Sequence, residues 1–209
     1  AAFHQTPWMI SVDAAGDHAP FAGDEALLAL PFGVFDDSFN HAKHSRENEP
    51  NWIALGRDRW KVAPTGGEFS FYEPKDQAQA LAPKGPHGVP FEDHAAKFHI
   101  TFMIGDAQPK HQKPERIRAA GLACGYRFRV VEFRGSAERS VATIENRGVA
   151  PIYHDAHPAV GGVRSTVSLK GLLPGESRTF PIEAAGGELT IESDRLVPGQ
   201  RIGFDADLR

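Results

Sequence analysis

The sequence predicts an α/β domain built as a partial (β/α) barrel-like parallel sheet, followed by an antiparallel β-sandwich. Three observations point there. Four short apolar stretches in the first half, residues 8–13, 31–37, 60–68 and 99–106, each end in a carboxylate: Asp13, Asp37, Glu68 and Asp106. They recur at roughly 25 to 40 residues with helix signals between them, which is a βα spacing. Beyond Gly125 the apolar period falls to two, and Gly/Pro turns separate the segments. The expected domains are therefore 1–124, the barrel-like part, and 125–209, the sandwich. A closed barrel needs eight βα units, and this chain supplies about four.

Taken in order, the first predicted strand is 8–13. Asp24 and Glu25 open a short helix over 26–30, and Pro31 stops it. After the strand 31–37, residues 40–59 are polar and irregular and read as a long loop. The strand 60–68 precedes a helix over 74–81, and a second helix over 91–98 carries acidic residues in its first turn. The strand 99–106 leads to a helix over 114–122, where Pro114 and Glu115 suit the first turn. In 125–133 the alternation holds to Val130 and then slips by one residue, which predicts a bulge. The alternating segments 140–146, 163–169, 188–192 and 201–206 complete a sandwich pattern, with 163–169 giving the strongest contrast. The short connection after residue 122 predicts that the sandwich docks directly on the α/β part.

Composition narrows the function classes. The chain has 209 residues, enough for one large or two small domains with a real core. A formal net charge of -4, no Lys/Arg run and no aromatic RNA-binding signature argue against nucleic acid as a partner. No apolar run approaches the roughly 20 residues that span a bilayer, so no membrane partner is expected. The first residue is Ala1 and not Met, and the expectation is a soluble chain that has been processed or trimmed. With a single cysteine, Cys124, no internal disulfide can form, and its small-residue surroundings suit a buried structural thiol. No Gly-x-Ser-x-Gly elbow, Walker A loop, Gly-x-Gly-x-x-Gly or His-Glu-x-x-His occurs, which removes esterase, kinase and dinucleotide chemistry.

Several pieces then stand together: Gly33-Val34-Phe35-Asp36-Asp37-Ser38-Phe39, Gly66-Gly67-Glu68, Phe98-His99-Ile100-Thr101-Phe102 and Gly125-Tyr126-Arg127-Phe128. In that order they resemble the bacterial domain-of-unknown-function family numbered 4832. The run from Ile144-Glu145-Asn146-Arg147-Gly148 to Tyr153, with Leu172-Leu173-Pro174-Gly175-Glu176, looks like that family's terminal β-sandwich. The resemblance implies a glycoside-hydrolase-like context: the closing half of a (β/α)₈ barrel with an appended sandwich, the preceding half being absent from this sequence. If so, Glu68 ends the seventh strand, where many retaining glycosidases hold their nucleophile, and Asp36 and Asp37 end the sixth.

Glycoside hydrolysis uses two carboxyl groups, about 5 Å apart for double displacement and about 6.5 to 9.5 Å for inversion. Neighbouring strand ends meet either spacing, so Glu68, Asp36 and Asp37 are the candidate catalytic acids. Phe35, Trp52, Trp60, Phe69 and Tyr72 flank them as candidate sugar platforms, with Phe39 and Phe71 nearby. His99 joins the substrate-binding candidates: opening a buried strand, it reads first as a hydrogen-bonded core or cleft residue and is also placed to shuttle a proton. The competing reading makes the acids helix caps and the aromatic residues core. Asp13 and Asp106 fit capping better than catalysis. His41 with His44, His94 with His99, and His154 with Asp155 and His157 have spacings that can bind zinc or copper, but none forms a ligand signature, so no metal and no cofactor is expected. Arg127 and Arg129 alternate outward, either to pair with acids or to face water.

The leading expectation is a carbohydrate-active protein, a glycoside hydrolase acting on a poly- or oligosaccharide, in an extracellular or periplasmic setting. The alternative is a non-catalytic glycan-binding or scaffolding module. A third arrangement has two chains, or a missing N-terminal barrel half, completing the eight strands, because an open parallel sheet exposes its edges.

Overall fold

All four strands of the first sheet run parallel, in the order β1 (Trp8–Ser11), β2 (Phe32–Phe39), β3 (Gly66–Phe69) and β4 (Phe102–Ile104). The computed structural model describes residues 8–15, 24–56, 58–86, 88–105 and 107–206, with backbone alone at 27, 28, 42–47 and 56. Asp106 lies outside the described residues. The chain divides into two compact units, Ala1–Gly125 and Tyr126–Arg209.

In the first unit the helices α1 (Glu25–Leu28), α2 (Ala42–Gly56), α3 (Pro74–Gln79), α4 (Phe91–Lys97) and α5 (Pro114–Leu122) alternate with the strands. Proline sets three of these starts. Pro74 and Pro114 occupy the first turn of α3 and α5, where a missing N–H costs nothing, and Pro90 immediately precedes α4. At α3 the Asp76 carboxylate accepts from the Glu73 backbone N–H at 3.0 Å, closing the first turn.

Several expected bounds move. Residues 40–59 are not a loop: α2 runs through them with Pro50 inside, because burying Trp52 and Leu55 outweighs the proline penalty. The strand expected at 60–68 begins only at Gly66, since Arg59–Lys61 forms a 3₁₀ turn and Pro64 follows it. Asp13 falls in the 3₁₀ turn Val12–Ala15 and not in β1.

The sheet is two-faced. Ile10, Phe32, Val34, Phe39 and Phe69 join Trp52, Leu55, Phe91, Ala95 and Ala120 from the helices in one apolar core. Side chains alternate along each strand, so Met9, Ser11, Gly33, Phe35, Gly66, Glu68, Phe102 and Ile104 occupy the other face. None of them belongs to that core. Met9 and Ile104 are exposed, although parallel sheets are ordinarily covered on both sides.

The second unit holds a three-stranded sheet, β10 (Leu189–Glu192), β7 (His157–Val160) and β8 (Val163–Arg164). Its other sheet has four strands, in the order β11 (Phe204–Ala206), β5 (Phe128–Gly135), β6 (Ser140–Asn146) and β9 (Ser177–Ile182). Phe128, Val130, Ile144, Phe180, Val160 and Ile191 from the two sheets share one core, the arrangement of a β-sandwich. Pairing is antiparallel except for β11 on β5, which is parallel. The register of β5 on β6 shifts between Val130 and Glu132, where the apolar alternation slips. The expected strand 163–169 pairs only at its first two residues. Beyond Arg164 only single backbone bonds continue, from the Ser165 N–H to the Pro158 carbonyl and from the Leu169 N–H to the Ala156 carbonyl, while the Ser165 hydroxyl accepts from the Val167 N–H and the Ser168 hydroxyl from the Lys170 N–H in side-chain turns.

Candidate functional site

Two of the three candidate acids lie on opposite faces of the first sheet. Asp36 pairs in register with Gly67, which puts its side chain on the helix-covered face. It is 3 % exposed, and its Oδ1 accepts from the Ser38 N–H at 2.8 Å and from Asn48 Nδ2 of α2 at 3.0 Å. These bonds brace the bulge that follows, so the expectation that Asp36 reaches a substrate beside Glu68 does not fit its position.

Asp37 is exposed and accepts a hydrogen bond from the Ser38 hydroxyl at 3.3 Å. Alternation returns it to the uncovered face. The register shift explains its setting: Asp36 faces Gly67 and Phe39 faces Phe69, so Asp37 and Ser38 share the stretch of β2 opposite Glu68. Neighbouring strands lie about 4.8 Å apart, which places the Asp37 and Glu68 backbones side by side near the C-terminal ends of β2 and β3. Glu68 is half-buried, and its carboxylate makes no hydrogen bond or ion pair with any described residue.

Beneath this pair the face is shaped by small residues. Along one hydrogen-bonded row stand Ser11, Phe35, Gly66 and Phe102, alternately small and large. Phe35 and Phe102 stack across Gly66, ring centroids 6.5 Å apart, and a Cβ on Gly66 would lie 2.5 Å from the Phe102 ring. At Gly33 a Cβ would collide with the Pro64 carbonyl, so the segment before β3 crosses the N-terminal end of the same face.

The candidate sugar platforms separate into four placements. Phe35 lies on the uncovered face with Glu68. Trp52 and Phe69 are core: Trp52 packs between Phe39 and Phe98, with centroids at 6.3 and 5.0 Å, and Phe69 meets Phe91 edge-on at 5.3 Å. Trp60 and His99 stack on each other at 3.6 Å, but they precede β3 and β4 and therefore stand at the opposite strand ends from the acids. His99 there adopts φ 52° and its carbonyl accepts from the Thr65 hydroxyl at 2.6 Å, a structural role. Tyr72, just past β3, is exposed and stacks on His41 at 5.5 Å.

Other polar groups at the C-terminal ends were not singled out from the sequence. Asp76 is 2 % exposed and its Oδ2 accepts from the Ser70 hydroxyl at 2.8 Å, with His41 Nε2 at 3.5 Å. Asn40, at φ 66°, ends β2 and its Oδ1 sits 2.6 Å from His94 Nδ1. The signal for Asp76 was its place three residues after Glu73 at a proline-led helix start. Asn40 is the residue type that best tolerates a left-handed turn.

Among the described residues no three His, Cys, Asp or Glu side chains gather as a metal site. In the second unit His157 Nδ1 lies 2.9 Å from the Ser165 carbonyl, and burial, with Arg195 nearby, holds the His154 imidazole below its usual value. Arg127 pairs with Asp205 at 2.8 Å in an exposed bridge worth little. No described helix is long and apolar enough to cross a membrane.

No protein-family model, curated protein or solved structure matches this chain.

Cys124 does not offer a nucleophile there. It is half-buried beside α5, its thiol 3.5 Å from the Ala120 carbonyl, and burial, with the Glu92 charge adding, pushes it up from 9.0 to about 12. The thiolate is the reactive species, so native Cys124 is expected to label roughly a thousandfold more slowly than a free thiol near pH 8. Timing the reaction with a disulfide reagent, before and after adding denaturant, checks this; equal rates would contradict it.

Proposed function

We propose that this chain is carbohydrate-active, a glycoside hydrolase in which Glu68 and Asp37 are the carboxyl pair. One observation carries the reading: both acids rise from adjacent parallel strands near their C-terminal ends, on the sheet face that none of the core helices covers. Strand ends of that polarity are where α/β barrels hold catalytic groups. The motif resemblance to the domain-of-unknown-function family numbered 4832 supports the same reading.

On this reading the sheet is part of a (β/α) barrel, its bare face is the inward one, and four further parallel strands close it. A second copy of the chain or a preceding barrel half would supply them. A separation set by neighbouring strands favours double displacement, which needs about 5 Å. Glu68, half-buried and free of ion pairs with described residues, attacks the anomeric carbon while the Asp37 carboxyl protonates the departing oxygen. Water then enters, gives its proton to the Asp37 carboxylate and releases Glu68. Phe35 and the exposed Tyr72 supply apolar faces for sugar rings. An extracellular or periplasmic setting belongs to the same proposal.

A non-catalytic glycan-binding module is the second reading, favoured by the exposure of Asp37, which leaves that acid in water on an open face. Incubating the chain with aryl glycosides and with polysaccharides separates the two. Release of reducing ends supports hydrolysis; calorimetric binding without release moves the assignment to the binding module. Neither release nor binding would overturn both.

A further inference from the structure

The parallel sheet of the first unit is unfinished at both edges. At β1, Trp8 is 36 % exposed although Phe32, its partner in the row, is fully buried. At β4, Met103 and Ile117 are half-buried around a hollow of about 340 Å³, and α5 buries only the side chain of Ala120. Each helix of a βα barrel packs over its own strand and the next, yet no described strand lies beyond β4.

The two edges also differ in charge. No Lys or Arg precedes Lys43 in the sequence, and the segment after β1 carries the exposed acids Asp13, at the strand end, and Asp24 and Glu25, at the start of α1. Between residues 107 and 122 the balance reverses, with Lys110, Lys113, Arg116 and Arg118 against the single acid Glu115. Lys110, Lys113 and Arg118 are exposed and make no ion pair with described residues. The β1 edge thus complements the β4 edge, whereas either edge set against its own kind brings like charges together.

We infer, resting on the barrel reading above, that two copies of this chain join edge to edge, β4 of each beside β1 of the other, and close one eight-stranded barrel. Symmetry fixes the register. Ser11, Phe35, Gly66 and Phe102 form one row without offset, and in a barrel of shear 8 such a row returns eight residues from its start, so each of two identical halves accounts for four. The right-handed tilt of barrel strands directs that shift toward the start of the partner's β1. Met103 is then level with the partner's Trp8, at the hollow, and Ile104 with the partner's Met9. Met9 and Ile104, 37 % and 43 % exposed on the bare face, thereby cover each other. The contact is mutual, so the seam occurs twice, and the two Glu68–Asp37 pairs look into one mouth from opposite sides.

Light scattering on the whole wild-type chain is expected to give twice the chain mass, and methyl labelling to give a nuclear Overhauser effect between Met9 and Ile104. Within one chain these two stand three strand spacings apart, about 14 Å, too far for that signal. In a Cys124→Ala background, Met9→Cys with Ile104→Cys is expected to yield a disulfide-linked dimer under mild oxidation, while either cysteine alone does not. A wild-type chain of single mass, or a dimer without the Met9–Ile104 signal, would overturn the inference, and neither result depends on a variant folding. Glycoside release by a strict monomer removes the shared barrel and leaves the carboxyl pair standing. A dimer that shows the seam but releases no sugar does the reverse.

Discussion

Asn146→Ala is expected to destabilise the second unit by about 3–5 kcal/mol, among the largest effects available from one polar side chain. Asn146 is fully buried at the end of β6 and uses its whole amide. Its Nδ2 donates to the carbonyls of Ala150 and Leu172 at 3.0 and 2.8 Å, and its Oδ1 accepts the N–H groups of Arg127 and Gly148 at 3.1 and 2.9 Å. Four backbone groups from three segments are thus held by one residue, and alanine leaves all four without that partner. Asn146→Asp is expected to be at least as costly, because it keeps the two accepted bonds but points a second oxygen at two carbonyls. All three tryptophans, Trp8, Trp52 and Trp60, lie in the first unit, so far-UV circular dichroism during urea unfolding reports the loss while tryptophan fluorescence serves as the reference. Thr143→Ala, which removes only an exposed hydroxyl pair with Thr179, should stay within about 0.5 kcal/mol. A shift for Asn146→Ala no larger than that control would show that the network carries no such weight.

The βα rhythm was legible because Trp8, Val34 and Phe102 sit in short apolar runs separated by helix-length intervals, and each of those runs became a parallel strand. Tertiary contacts decided what the pattern could not. In α2 the apolar residues gather after Pro50, so the segment reads as a broken loop, and only the packing of Trp52 against Phe39 and Phe98 makes it a helix. Asp36 and Asp37 are adjacent, so alternation demands that one face inward; which one depends on a bulge held by Ser38 and Asn48. Trp60 and His99 looked like strand residues near acids, yet their strands start several residues later, and the pair caps the other end.

Glu68→Gln is expected to abolish glycoside turnover, with a fall on the order of 10³-fold or more, while leaving thermal stability close to wild type. The two halves of that expectation rest on different facts. Turnover fails because an amide can form neither the bond to the anomeric carbon nor the charge that opposes an oxocarbenium ion. Stability holds because the carboxylate has no hydrogen bond or ion pair with described residues to lose, and the amide is nearly isosteric. Asp37→Asn separates the roles. If Asp37 is the proton donor, its loss is expected to be severe on alkyl glycosides and slight in the first step on aryl glycosides, whose phenolates leave without a proton. Glu68→Gln is expected to fail on both. The reverse pattern, with Asp37→Asn inactive on every leaving group and Glu68→Gln sensitive to the leaving group, would exchange the two assignments. A Glu68→Gln chain that retains wild-type turnover would remove the pair from the chemistry altogether, whatever sugar the chain binds.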